Sequence, residues 1–295
     1  MALFLDKRRW WREQYFYYII LAPAVVIFTI LTVFPISRVL QLAFYHYRYI
    51  TGEIYYVGLK NFVKLLNDGI FIKSITNTFE FVILATFSEF TIGLGLALLF
   101  HREFKAKRYL LPIVIFPMML PTIVISGIWK IIYHYEFGVL NNIFRIIGLS
   151  PVEWLTNKNL AMKSIVLVDI WQWTPLAFLV LCAGLQGIPR EIYEAAQIDG
   201  AGRVQIFSNI TLPLLKQHIL LVILLRTIDT FRIFDKVYAL TGGGPGISTE
   251  TITYYIYREG FKFFNLGYAS AASVIMLLLT TIISAVYIKY IIGAQ

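Results

Sequence analysis

The stretch QGIPREIYEAAQIDGAGRVQIFSNITLPLLKQ, residues 186–217, is a polar interval with helical grammar set between two long apolar runs. Pro189 suits the first turn of a helix. Glu191 and Glu194 follow, where the helix dipole favours acids. Asp199-Gly200 then punctuates, since glycine readily takes the left-handed conformation that ends a helix. Ile206, Phe207 and Ile210 recur at helical spacing, and Leu212-Pro213 closes this second stretch. The interval therefore reads as a short helix, a sharp turn and a second short helix, a rigid knob that can dock into a cleft on a partner protein.

The runs on either side, Ser164–Leu185 and Ile219–Leu240, are each long enough to cross a bilayer, which takes about 20 mostly apolar residues. Further out lie Tyr15–Ile36, Ile75–Phe100, Tyr109–Tyr133 and Tyr268–Ile288, giving six spans. Pro23, Pro112, Pro117, Pro121 and Pro175 fall inside these runs, which membrane helices tolerate where neighbours re-satisfy the freed carbonyls. The bulk composition agrees. Of 295 residues, 58% are hydrophobic and 15% charged, more apolar surface than a soluble domain of this length can bury. The fold class expected is an all-α membrane protein, residues 1–295 forming one domain. The first run is too long for a signal-peptide core and lacks a small-x-small exit, so it reads as a retained helix.

Basic strips orient the spans. Lys7, Arg8, Arg9 and Arg12 precede the first, Arg102, Lys105, Lys107 and Arg108 link the second and third, and Arg190, Arg203 and Lys216 lie between the fourth and fifth. Placing these on the cytoplasmic side puts both termini there. The net charge of +9 is the same bias, and no soluble basic face points to nucleic acid. The lone Cys182 sits in an apolar run as a packing residue. His46, His101, His134 and His218 are scattered, so no metal site is expected.

The spacing within the knob carries a family resemblance. Glu194-Ala195-Ala196, three residues, Gly200, nine residues, then Ile210-x-Leu212-Pro213 resembles the EAA signature of permease subunits of binding-protein-dependent ABC importers. Asp199-Gly200-Ala201 and Phe207 fit its sharper form, and Gln217 departs where many relatives carry proline. Tyr17 with Leu21-Ala22-Pro23, Phe34-Pro35, Gly58-Leu59-x-Asn61-Phe62 and Asn77-Thr78 are similar to the carbohydrate-uptake branch. So are Phe234-Asp235, Leu240-Thr241-Gly242-Gly243-Gly244-Pro245, Thr249 and Tyr257, so the resemblance covers nearly the whole chain.

That resemblance implies a type I ABC importer permease fold in a bacterial or archaeal cytoplasmic (inner) membrane. It implies a second permease subunit in a heterodimer, two ATP-binding cassette subunits that carry ATP and magnesium, an extracytoplasmic solute-binding protein, and a saccharide substrate. Glu194, Ala195, Ala196, Asp199, Gly200, Phe207 and Pro213 would couple to the ATPases. This chain itself has no G-x-x-x-x-G-K-[ST] phosphate loop, so it is expected to bind no cofactor and to catalyse nothing. Gly242–Gly246 lacks the lysine and hydroxyl such a loop needs. It reads as a flexible turn, with binding-protein contact through Gly243, Gly244 and Pro245 as the alternative.

Ionisable residues inside a bilayer are costly and usually face a polar interior. Glu89 falls in span two. Asp169, Trp171 and Trp173 fall in span four. Arg226 and Asp229 fall mid-way along span five, with Arg232, Asp235 and Lys236 towards its outer end. Arg226, Asp229, Arg232 and Lys236 recur at three or four positions, a stripe on one helix face. These charges either pair to fix the bundle or line a watery pathway in which Trp and Tyr stack on sugar rings. Their arginines leave room for an acidic or phosphorylated sugar. Two other functions compete. An ion-driven transporter could carry protons on Glu89 and Asp229, but it would leave the knob without a role. A lipid head-group phosphotransferase could start from Asp199-Gly200-Ala201-Gly202-Arg203, but it lacks the further aspartates that metal chemistry needs.

Overall fold

The computed structural model describes residues 17–102 and 104–292. The strip Lys7, Arg8, Arg9 and Arg12 and the first residues of span one lie outside them. The described residues fall into two compact units, one reaching to Leu65 and including Glu259–Ile275, the other comprising Leu66–Arg258 and the chain from Met276 onward.

In the first unit, α1 (Tyr17–Leu42) is apolar throughout, and none of its most hydrophobic stretch is buried. Lipid or another chain must cover it. A two-stranded hairpin follows, β1 (Tyr45–Arg48) and β2 (Glu53–Tyr56), pairing Tyr45 with Tyr56 and Arg48 with Glu53. Asn61, in α2 (Lys60–Leu66), holds its base by donating to the carbonyls of Ala43 at 3.0 Å and Tyr45 at 2.9 Å. Nothing in the period of the sequence points to this hairpin.

The second unit is a helix bundle built on α3 (Gly69–His101), α7 (Ala161–Gln186) and α9 (Arg203–Phe231). Asp68 caps α3 by accepting from the Ile70 and Phe71 amides at 2.8 and 3.3 Å. Gly93 lets α3 and α7 approach closely. A Cβ there would stand 2.7 Å from the Ala177 Cβ, and small residues are what allow membrane helices to pack backbone to backbone. Two apolar clusters hold the bundle. One joins Phe81, Ile125, Ile165, Val168, Val237 and Tyr254. The other joins Ala97, Phe178, Leu181, Leu215 and Val222.

The third span differs from the continuous helix expected over Tyr109–Tyr133. It is α4 (Lys107–Ile115), a 3₁₀ turn at Phe116–Met119 and α5 (Thr122–Ile132), bent by 101°. Pro121 has no N–H and pushes Leu120 into extended backbone, with ψ at 142°. The Gln172 side chain donates to the freed Leu120 carbonyl at 3.2 Å. Beyond α5 lies the short α6 (Val139–Ile146).

The fifth span is displaced along the chain. Leu212-Pro213 does not close a helix, because α9 runs from Arg203 straight through it. A π-turn at Phe207–Thr211 sits just ahead of Pro213 and absorbs the missing hydrogen bond. At its other end α9 stops at Phe231, short of the expected Leu240, and α10 (Asp235–Leu240) starts afresh. The Thr251 hydroxyl at 3.2 Å and the Thr253 hydroxyl satisfy the Ile233 carbonyl that this break exposes. α11 (Ile252–Tyr257) follows. The sixth span, α12 (Leu266–Ile292), passes through both units. Among the described residues, five helices are long and apolar enough to cross a membrane, and counting the bent pair as one span makes six.

Candidate functional site

Between the two apolar clusters, three helices each bring a charge to one point. Arg226 of α9 donates Nε to Glu89 of α3 at 2.5 Å and Nη2 to the same carboxylate at 3.0 Å. The same Nη2 reaches Asp169 of α7 at 2.9 Å. Asp169 also accepts from Lys236 of α10. Arg226, Glu89, Asp169 and Lys236 are all buried. Two cations facing two carboxylates leave the cluster formally neutral, which is how buried charges persist in an apolar interior. Thr230 donates its hydroxyl to the Arg226 carbonyl at 2.7 Å, tying the helix backbone in as well.

The stripe expected on one helix is therefore corrected by the break after Phe231. Arg226 still meets Asp229 at 3.6 Å, and Asp229 meets the exposed Arg232 at 3.1 Å, as helical spacing implies. Arg226 makes its closest contacts across helices, however, and Lys236 turns inward to Asp169. Periodicity within one helix carries no information on partners supplied by α3 and α7. The only signal in the sequence was that Glu89, Asp169 and Lys236 are costly where they stand.

A cavity of about 360 Å³ opens beside this cluster, lined by Asp169, Trp173, Arg226, Asp229, Arg232 and Asp235 among others. Trp173 packs against Arg226, with the guanidinium carbon 5.1 Å from the ring centre. Glu89 stands behind Arg226 and does not line the cavity. Trp171 does not join it either. Two positions from Trp173, it faces another side of α7 and lines an apolar groove, its ring 5.7 Å from that of Trp129.

The glycine-rich segment after α10 is pinned rather than loose. Thr249 donates its hydroxyl to the Gly244 carbonyl at 2.7 Å and meets the Thr241 hydroxyl at 2.7 Å. Asn77 of α3 donates to the carbonyls of Ile247 at 3.0 Å and Glu250 at 2.9 Å. The neighbouring Thr78 hydroxyl accepts from the Ile252 amide at 3.0 Å. Asn77-Thr78 thus clasps the segment that holds Gly243, Gly244 and Pro245.

At the far end, α8 (Arg190–Ile198) forms the first half of the knob. Gly200 has φ +78°, and a paired C-terminal cap closes the helix. The Ala201 amide donates to the Ala196 carbonyl at 2.9 Å, and the Gly200 amide to Gln197 at 3.1 Å. Ala196 is buried, whereas Glu194, Ala195, Asp199 and Gly200 are exposed. Phe207 is half-buried and Pro213 exposed. Ile198 at 86% and Val204 at 79% exposure present bare apolar surface on either side of the turn.

Residues 89–291 match the model of the binding-protein-dependent transport system inner membrane component family. The chain belongs to this family. Among relatives of this permease is the sulfoquinovosyl glycerol transport system permease protein SmoG of Agrobacterium fabrum, 36% identical over 92% of this chain and 88% of that one. Another is the trehalose/maltose transport system permease protein MalF of Thermococcus litoralis, 40% identical over 79% of each chain. In fold the permease is similar to a chain of a bacterial ABC transporter involved in import of the acidic polysaccharide alginate. The TM-score is 0.85 at 25% identity, covering 99% of this chain and 98% of that one. The fold is that of the type I ABC importer permeases, and the permease is a multi-pass membrane protein.

Proposed function

We propose that this permease forms half of the translocation pathway of an ATP-driven saccharide importer in a bacterial or archaeal cytoplasmic membrane, with both chain ends on the cytoplasmic side. A second permease supplies the other half as a heterodimer. An external binding protein delivers the sugar near Gly243, Gly244 and Pro245, and two ATPase subunits supply ATP and magnesium. Relatives named for transport of sugars and glycosides support the substrate class.

The observation that carries the coupling role is the knob. α8 ends in a tight cap at Gly200, and the chain re-enters the bundle as α9 without interruption, through Arg226 to Phe231. A push on the exposed Glu194–Gly200 surface is transmitted along one helix to the wall of the charged cavity. Closure of the ATPases would move the knob as a rigid body and switch the side to which the cavity opens.

Glu194→Lys and Gly200→Pro test this in the transporter reconstituted with its partners in proteoliposomes. Proline cannot adopt φ +78°, so it destroys the cap. Uptake and binding-protein-stimulated ATP hydrolysis are expected to fall at least about tenfold in both variants. Normal uptake with coupled hydrolysis would sink the proposal.

A further inference from the structure

The donors of the buried cluster are already committed, and this restricts what the cavity can bind. Arg226 spends Nε and Nη2 on Glu89 and Asp169. Only Nη1 is without a hydrogen bond, and Asp229 stands 3.6 Å from it. Arginine grips carboxylate, sulfonate or phosphate best by offering two parallel N–H groups, and Arg226 has no such fork left. Lys236 is held by Asp169, and Arg232 lies 3.1 Å from Asp229. Every cation lining the cavity therefore has a carboxylate in ion-pair range. The lining cations Arg226, Arg232 and Lys236 are matched by Asp169, Asp229 and Asp235, and Glu89 behind them adds one more negative charge. Asp235 is exposed and makes no ion pair among the described residues.

We infer that this cavity selects neutral polyhydroxylated rings over anionic sugars. A hydroxyl needs only one donor or one acceptor, and the exposed carboxylates of Asp229 and Asp235 supply acceptors. The half-buried ring of Trp173 offers apolar surface for the C–H face of a sugar. An anionic group would find no fork on Arg226 and would meet two exposed carboxylates, Asp229 and Asp235, against one exposed guanidinium, Arg232, whose Nη2 is already given to Asp229. This rests on the saccharide reading above and narrows it.

The test uses the complete transporter in proteoliposomes. Trehalose and maltose serve as neutral probes, and sulfoquinovosyl glycerol and a short alginate oligosaccharide as anionic ones. A neutral probe is expected to enter at least roughly tenfold faster than either anionic probe, the order that one uncompensated charge at close range produces. Asp235→Asn and Asp229→Asn are expected to narrow that ratio with the same binding protein present, which assigns the selection to this chain. Equal or faster uptake of an anionic probe, or a ratio that neither variant moves, overturns charge selection and leaves saccharide import standing. ATP-dependent uptake of none of the four overturns the saccharide reading, and this inference falls with it.

Discussion

Replacing Arg226 by methionine tests whether the buried charges form one interdependent unit. The Arg226 side chain is 1% exposed and that of Glu89 is 0% exposed. Methionine keeps the apolar stem and removes the charge. Glu89 then loses the hydrogen bonds at 2.5 and 3.0 Å, both of which come from Arg226, while Asp169 keeps Lys236. At an effective dielectric near 20, unit charges about 3 Å apart attract by roughly 5–6 kcal/mol. Breaking a buried pair from one side costs about 3–5 kcal/mol, because the surviving charge stays buried without compensation. Arg226→Met is therefore expected to lower stability by about 3–5 kcal/mol. Arg226→Met combined with Glu89→Met removes opposite charges together and leaves the Asp169–Lys236 pair. It should regain at least about 2 kcal/mol of that loss. The assay is equilibrium unfolding of the purified transporter in mixed micelles, followed through this subunit. A single variant within about 1 kcal/mol of wild type, or a double variant as unstable as the sum of the two single changes, would refute the reasoning.

Two further outcomes follow from packing. Gly93→Ala places a methyl 2.7 Å from the Ala177 Cβ, so α3 and α7 must separate. A loss of about 1–3 kcal/mol is expected, read as a lower thermal midpoint and partly reversed when Ala177→Gly is added, since the backbone contact to the Phe178 nitrogen at 3.0 Å stays. A midpoint that the second change does not raise at all would deny that this contact sets the crossing. Asn77→Ala removes the donors that hold the Ile247 and Glu250 carbonyls, at about 1–3 kcal/mol. Faster amide exchange over residues 242–252 with α7 unaffected is the expected signature, and unchanged exchange there would count against the clasp.

The resemblance drawn from spacing marked Asn77-Thr78, Thr249 and the glycine run as separate signatures. Only the folded chain shows them to be one device, with Asn77 and Thr78 holding a segment roughly 170 positions away in sequence. The break at Phe231 was hidden for a related reason. An apolar run through Ile233 and Val237 looks the same whether it is one helix or two, and the hydroxyls that cap the exposed carbonyl come from Thr251 and Thr253. Pro121 reads in the sequence as a proline tolerated inside a continuous span, and the bend is visible only in the fold, where Gln172 donates to the Leu120 carbonyl.

The sequence alone determined what local chemistry controls. Apolar runs set the number of spans, because a bilayer demands about 20 apolar residues of each. Pro189, Glu194 and Gly200 set the knob, because capping and φ preference act within one or two turns. Tertiary structure decided which charges are partners. Glu89 and Asp169 lie dozens of residues from each other and from Arg226 and Lys236 and share no period with them, so the pairing arises only when α3, α7, α9 and α10 pack. The polar chemistry of the cavity depends on that pairing, since burial obliges each charge to find its opposite wherever the fold provides one.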